Sequence, residues 1–294
     1  MSFLDTYIKR VEDRLYSFLP SFELPQGRTS EAAFYSLSAG GKRIRPVLTL
    51  LFCEMCGADS EKALDTACAI EYMHTFSLIH DDLPCMDNDD LRRGKPSCHK
   101  AFDEPTALLA GDALAIMPFG IISESSLNGT IKPSTAVKII KLISDCATIN
   151  GMIGGQQIDI ETEGKKTDND TLISMYLKKT SALLKAACCS GVLCAEHINE
   201  ELYLEKASEY AENLGLAFQI IDDILDVTSS DEVLGKPVGS DKNSDKYTYV
   251  RINGLDAAEA AAADYTDKAI KALSCFKNNE RVKELTEMLL SRKK

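Results

Sequence analysis

Between residues 61 and 80, EKALDTACAIEYMHTFSLIH, apolar side chains recur at Leu64, Ala67, Ile70, Met73 and Phe76. Steps of three draw one stripe along a helix. The same rhythm runs from Thr171 to about Glu196, preceded by Thr167 and Asp170 at capping-box spacing, and again from residue 205 to 226. No strand-like alternation of useful length interrupts it. Breaks are predicted near Pro20 to Gly27, Ser126 to Ser134, Glu163 to Asp170 and Ser229 to Tyr247, none long or simple enough to be an interdomain linker. No repeat of fixed period occurs. The pattern predicts a single all-α domain over residues 1–294, with on the order of ten helices.

Composition narrows the setting. Apolar residues make up 45% and charged residues 27% of the 294, an ordinary globular balance. No uninterrupted apolar run of about 18 residues stands out, so no bilayer-spanning segment is expected. The start, MSFLDTYIKRVEDRLYSFL, mixes acids and bases at helical spacing, unlike a signal or transit peptide. A cytoplasmic protein is expected. The ten cysteines are spread thinly, several of them (Cys68, Cys146, Cys188, Cys194) within apolar helical stripes, which suits reduced core residues. Cys53 and Cys56 form a CxxC without a second pair or a nearby histidine to complete a zinc site. A net charge of −12 argues against nucleic acid and anionic membranes as partners. Phosphate binding would then need local basic clusters or metal ions.

Two carboxylate clusters stand out. In FQIIDDILD, residues 218 to 226, Asp222 and Asp226 lie four apart on one helical face, with Gln219 three before Asp222 on that face. Ile220, Ile221, Ile224 and Leu225 flank them, which predicts a mostly buried helix rather than a solvated acidic turn. Buried carboxylates need cations, and hard divalent metals supply them. The other cluster, SLIHDDLPCMDNDDLRRGKPSCH, places Asp81, Asp82 and Asp87 ahead of Asn88, Asp89 and Asp90. Six helical steps would rotate Asp87 away from Asp81. Pro84 disfavours helix at Leu83, however, so the chain is expected to leave the helix and curl Asp87 back. Asn88, Asp89 and Asp90 read as solvated or structural. Magnesium suits both clusters, because it takes one or two carboxylates and shares the rest of its shell with water and phosphate. Two such clusters could clamp one diphosphate. A di-iron bundle would need Glu-x-x-His pairs, which His74, His80, His99 and His197 do not provide.

Basic elements alternate with the acidic ones. Gly40-Gly41-Lys42-Arg43-Ile44-Arg45-Pro46 offers glycines for close backbone approach and cations for a phosphate grip. Arg92 and Arg93 follow the first aspartate loop, where one could reach each of two anions. Lys178-Lys179-Thr180, Lys236 and Lys246 complete the set.

GGKRIRP, EYMHTFSLIHDDLPCMDNDDLRRGKPSCHKAF, GMIGGQQIDI, YLKKTSALL, AFQIIDDILD and LGKPVGSD…KYTYV occur in the order found in trans-isoprenyl diphosphate synthases. From about residue 30 onward the chain resembles bacterial-type farnesyl diphosphate synthases. The resemblance implies a helical bundle around a deep central cavity, usually a homodimer. It implies head-to-tail joining of isopentenyl diphosphate to dimethylallyl and then geranyl diphosphate, with three magnesium ions when substrate is bound. By motif, Asp81, Asp82 and Asp87 would hold magnesium on one wall, and Asp222, Asp223 and Asp226 on the other. Arg92, Lys179 and Lys236 would hold the allylic diphosphate; Gly41, Lys42, Arg45, His74 and Arg93 would hold isopentenyl diphosphate. That second site is expected to be built from cations without carboxylates, since isopentenyl diphosphate must not ionise. Thr180 and Gln219 would face the developing allylic cation, and Lys246 would belong to a closing lid.

If the helix before Asp81 lines the tunnel, Phe76 and Ser77 lie where the growing chain runs, and the resemblance places an aromatic there in farnesyl synthases. A geranylgeranyl or geranyl product is the nearest alternative, since plant geranylgeranyl synthases share the wording HDDLPCMDNDDLRRGKP. A non-catalytic subunit of a heteromeric synthase would lose the second aspartate motif or the basic set, and both are intact.

Overall fold

A computed structural model describes residues 3–228 and 247–291. The chain is all-α. Its helices are α1 (Phe3–Leu15), α2 (Gly27–Leu37), α3 (Ile44–Met55), α4 (Leu64–Asp81), α5 (Cys98–Ala101), α6 (Glu104–Leu127), α7 (Pro133–Ala147), α8 (Met152–Thr162), α9 (Asn169–Tyr176), α10 (Ala182–Ala195) and α11 (Glu200–Thr228). Tyr249–Asn253, Leu255–Ala272 and Glu280–Leu290 follow.

The helix read as a single stripe, α4, is buried on most of its circumference, including Thr66, Glu71, Tyr72 and Thr75 between the stripe positions. It packs against α6, α3, α1 and α10. A helix enclosed on several sides shows a weak amphipathic signal, so the stripe understates its burial. Glu71, 2% exposed, is neutralised there by Arg43, which donates to it at 2.7 Å.

Three local expectations are corrected. The helix read from Thr171 begins at Asn169, and its cap is Asp168, which accepts from Thr171 N at 2.8 Å; Thr167 and Asp170 do not form a capping box. That run is also interrupted, because Leu177–Ser181 is a π-helical turn joining α9 to α10. The one strand pair among the described residues, β1 (Leu91–Arg92) with β2 (Lys95–Pro96), is a two-residue hairpin in the long connection after α4. Its turn residues, Arg93 and Gly94, both take positive φ, 54° and 75°, as a primed hairpin turn requires.

By length and composition α6 could cross a membrane, contrary to the expectation. One face of it is spent inside the protein, where Ala107, Ala110, Gly111 and Leu114 are buried and α4 packs along it. Its other face exposes Leu109, Ile116 and Leu127.

The main core draws on α1 to α4, α6, α7, α10, the first half of α11 and the last helices. A smaller cluster joins Leu172, Tyr176, Leu216, Ile220, Ala258 and Ala262. Helix α11 runs from one cluster into the other, and Gln219 and Asp222 lie on the stretch that packs into the smaller one. The cysteines expected in the core are there: Cys68, Cys146, Cys188 and Cys194 are buried, and every cysteine is a free thiol. Cys53 and Cys56 are buried too, and burial pushes the Cys56 thiol up to about 12. Thiols so disfavoured as thiolates are packing residues.

Candidate active site

Where α4 ends, Leu83 N bonds back to His80 O, and Asp87 N bonds to Asp81 O at 2.9 Å. The proline-broken loop therefore returns Asp87 to Asp81, as the sequence suggests. Asp81 is pushed up to about 6, first by burial, with Asp87 reinforcing and Lys179 opposing. Its neighbour Asp82 is compensated differently. At 2% exposure it is gripped by Arg92, whose Nε donates at 3.0 Å and whose Nη2 also reaches it. Arg92 extends to Asp89 at 3.4 Å, and Lys100 pairs with Asp90 at 2.9 Å. Part of the acidic crowding is thus neutralised inside the protein, and Arg92, expected to serve a substrate anion, is engaged with Asp82.

The hairpin turn aims Arg93 at the glycine motif, where it donates to Gly40 O. Gly41 has φ +120°, a backbone angle that favours glycine, and the Arg93 guanidinium packs directly over it. A cavity of about 480 Å³ opens beside it, lined by Gly41, Lys42, Arg45, Glu71, His74 and Arg93 among others. The expectation of a carboxylate-free site is corrected by Glu71, whose charge is spent on Arg43. Arg43 is the inward member of the basic motif, donating also to Leu37 O at 2.5 Å, while Lys42 is exposed. Arg45 Nη1 lies 3.4 Å from His74 Nε2. Burial lowers Arg45 to about 10 and, with the surrounding arginines, holds His74 well below its usual range. The imidazole is neutral, and the cluster is a desolvated cationic pocket suited to an anion.

Arg45 and His74 also line a second, mostly apolar cavity of about 520 Å³. Phe76, Ser77, Asp81, Met86, Leu108, Met152, Ile160, Lys179 and Thr180 share its wall. Phe76 is 8% exposed and meets the His80 ring edge-on at 5.3 Å. Ser77 donates to His74 O at 2.8 Å.

The π turn presents Lys179 and Thr180 to this cavity and to a third one, of about 190 Å³, on the other side. That third cavity is lined by Asp159, Tyr176, Gln219, Asp222 and Asp223. Thr180 Oγ1 donates to Gln219 Oε1 at 2.7 Å, joining the two residues expected to face the cation. Asp223, 6% exposed, accepts from the Tyr176 hydroxyl at 2.5 Å and from Tyr249 N at 2.7 Å, so one of its oxygens ties α9 and the helix Tyr249–Asn253 to α11. Asp226 is 3% exposed and does not line that cavity. Lys236 and Lys246 lie outside the described residues.

Two residues escaped the sequence reading. Asp159 accepts from Lys179 Nζ at 2.5 Å, and Gln156 lines the apolar cavity. Their signal was GMIGGQQIDI: paired glycines ahead of polar residues three apart mark a helix pressed against a neighbour. Gly155 shows why, since a Cβ there would stand 2.2 Å from Lys179 N.

Among the described residues no group of three or more His, Cys, Asp or Glu forms a ready-made metal cluster. The donor chemistry nonetheless fits a hard cation that arrives with phosphate. Asp81 and Asp87 stand together at the end of α4, and Asp222 faces a cavity across Lys179 and Thr180.

Three cavities in sequence share wall residues; one is cationic, one is mostly apolar and tail-sized, and aspartates of both motifs reach their walls. The comparisons agree, and the chain belongs to the polyprenyl synthetase family, whose profile matches residues 26–289. It is a prenyltransferase of the trans-prenyl diphosphate synthase type. It is 43% identical over 279 residues to a farnesyl diphosphate synthase of Micrococcus luteus, covering 95% of this chain and 94% of that one. To a geranylgeranyl diphosphate synthase of Cyanophora paradoxa it is 44% identical over 259 residues, covering 87% and 85%. A crystal structure of an FPP/GFPP synthase from Zymomonas mobilis superposes with a TM-score of 0.86 at 34% identity, covering 98% of this chain and 97% of that one.

Proposed function

We propose that the chain is a single-domain (2E,6E)-farnesyl diphosphate synthase that joins isopentenyl diphosphate head to tail to dimethylallyl and then geranyl diphosphate. The observation that carries this reading is the run of cavities. One tail-sized apolar space is bordered by the desolvated Arg45/His74 cluster and by Lys179, Thr180 and Asp81.

In this reading the cationic cavity holds the isopentenyl diphosphate. Arg45, Lys42 and Arg93 grip its oxygens, and neutral His74 donates or accepts without adding charge. Lys179 holds the allylic diphosphate, with Asp81, Asp82, Asp87, Asp222, Asp223 and Asp226 as candidate magnesium ligands. Magnesium, when bound with substrate, neutralises the diphosphate that departs. The allylic carbon–oxygen bond breaks heterolytically, and the hydroxyl of Thr180 and the carboxamide oxygen of Gln219 turn their dipoles toward the carbocation. The double bond of isopentenyl diphosphate supplies the electron pair for the new carbon–carbon bond. A proton then leaves to the released diphosphate, which serves as base because neutral His74 belongs to the anion pocket. The apolar walls keep water from the cation.

Phe76 supports the fifteen-carbon product, as its ring closes the wall one turn before Asp81. The likeness to geranylgeranyl synthases favours a twenty-carbon product as the second reading. Exposed Leu109, Ile116 and Leu127 on α6 support a homodimer formed through that face. Chromatography of products from isopentenyl and geranyl diphosphates with magnesium tests the reading. Farnesyl diphosphate is expected from the wild type, and longer products from Phe76→Ala. A wild-type product of twenty carbons would overturn the farnesyl assignment.

A further inference from the structure

Five buried side-chain polar atoms lack a hydrogen-bond partner among the described residues: Arg45 Nε, His99 Nε2, Ser125 Oγ, Gln156 Nε2 and Ser190 Oγ. Of these residues, Arg45 and Gln156 line the cavities. A donor shielded from water and left without an acceptor opposes folding, and is retained where a ligand supplies the acceptor. Arg45 already has such a ligand in the isopentenyl diphosphate of the proposed function. Gln156 has none assigned.

Gln156 is fixed in place by its helix. Met152, Gln156 and Asp159 stand four and three apart on the inward face of α8. The absence of a side chain at Gly155 lets that face press on the π turn, whose Lys179 N would lie 2.2 Å from a Cβ. One turn along from Gln156, Asp159 takes Lys179 Nζ at 2.5 Å. The adjacent glutamine makes an internal control. Gln157, which also borders the cavity, is exposed and donates to Glu161 on its own helix at 2.9 Å, whereas Gln156 Nε2 is buried and finds no acceptor among the described residues. The cavity whose wall this residue shares with Lys179 and Thr180 is mostly apolar. Of the parts of a prenyl diphosphate, the hydrocarbon offers no acceptor and the phosphate oxygens offer several.

We infer that Gln156 is a further substrate contact, its Nε2 donating to an oxygen of the allylic diphosphate held by Lys179. This rests on the synthase reading. The contact strengthens as the carbon–oxygen bond breaks and charge gathers on that oxygen, so it serves ionisation as well as binding.

Gln156→Met, close in size but without the amide, tests the inference in the intact protein. In the ligand-free protein Tm is expected to hold or rise, since no bond is lost. Calorimetric titration with geranyl diphosphate and magnesium is expected to give a Kd raised about tenfold, the usual loss for one hydrogen bond to a charged group. In turnover, KM for geranyl diphosphate rises and that for isopentenyl diphosphate does not. A lowered Tm with unchanged affinity would show a purely structural glutamine and overturn the inference. Equal affinities for wild type and variant, or a change confined to isopentenyl diphosphate, would overturn it as well. A wild type that binds geranyl diphosphate more tightly than the variant but makes no product would reject the synthase reading and leave the contact standing.

Discussion

Asp81 and Asp82 are neighbours in sequence, and burial pushes both carboxyls up, but their compensation differs. Asp82, the more deeply buried, takes Arg92 as a direct partner, whereas Asp81 is pushed up to about 6. A carboxyl raised above its unfolded value of about 3.9 stabilises the fold only when protonated. That contribution is complete below about pH 4 and is lost as pH rises through about 6. At pH 7.5 the metal-free protein therefore carries a cost on the order of 3 kcal/mol at Asp81. Asp81→Asn should raise the Tm of metal-free protein by a few degrees at pH 7.5, and the difference should shrink toward zero near pH 4. Calorimetry at both pH values checks this, and a lower Tm at pH 7.5 contradicts it. The return of Asp87 could be read from Pro84, because a proline's effect on the preceding residue is local. The grip of Arg92 on Asp82 could not, since it depends on where a two-residue hairpin turns.

Helical periodicity identified the long helices and their faces, because burial against one neighbour writes itself into spacing. It did not identify the π turn at Leu177–Ser181. One extra residue in a helical turn leaves the composition unchanged, yet it re-aims Lys179 and Thr180 between two cavities. Nor did it identify the enclosure of α4 or the role of α8, whose evidence lies in what Gly155 lacks. Gly155→Ala places a methyl 2.2 Å from the Lys179 backbone, which cannot swing away as a flexible side chain would. The variant is expected to lose roughly 2 kcal/mol of stability or more, as overpacking does, and at least about tenfold in kcat/KM. Thermal melts and kinetics of Gly155→Ala indistinguishable from those of the wild type would refute the account of α8.

At the scale of the molecule, a chain of net charge −12 binds anions by confining its cations. Arg45, Arg93 and Lys179 face cavities, and Glu71, the acid in the wall of the cationic one, is held by Arg43. Helix α11 links the two hydrophobic clusters, and its Asp222 and Asp223 line a cavity that shares Lys179 and Thr180 with the cavity Asp81 lines. The two aspartate motifs were legible as clusters of one residue type; the three-cavity division and the inward turn of Asp223 emerged only from packing. The central claim is that both walls serve one diphosphate-releasing reaction. Magnesium-dependent turnover of geranyl plus isopentenyl diphosphate by purified protein tests it most directly, with Asp81→Ala and Asp222→Ala alongside. The account predicts product from the wild type and a loss of at least about a hundredfold in each variant, as removal of a group that stabilises transition-state charge entails. Turnover by either variant at the wild-type rate, or none by the wild type, would contradict it.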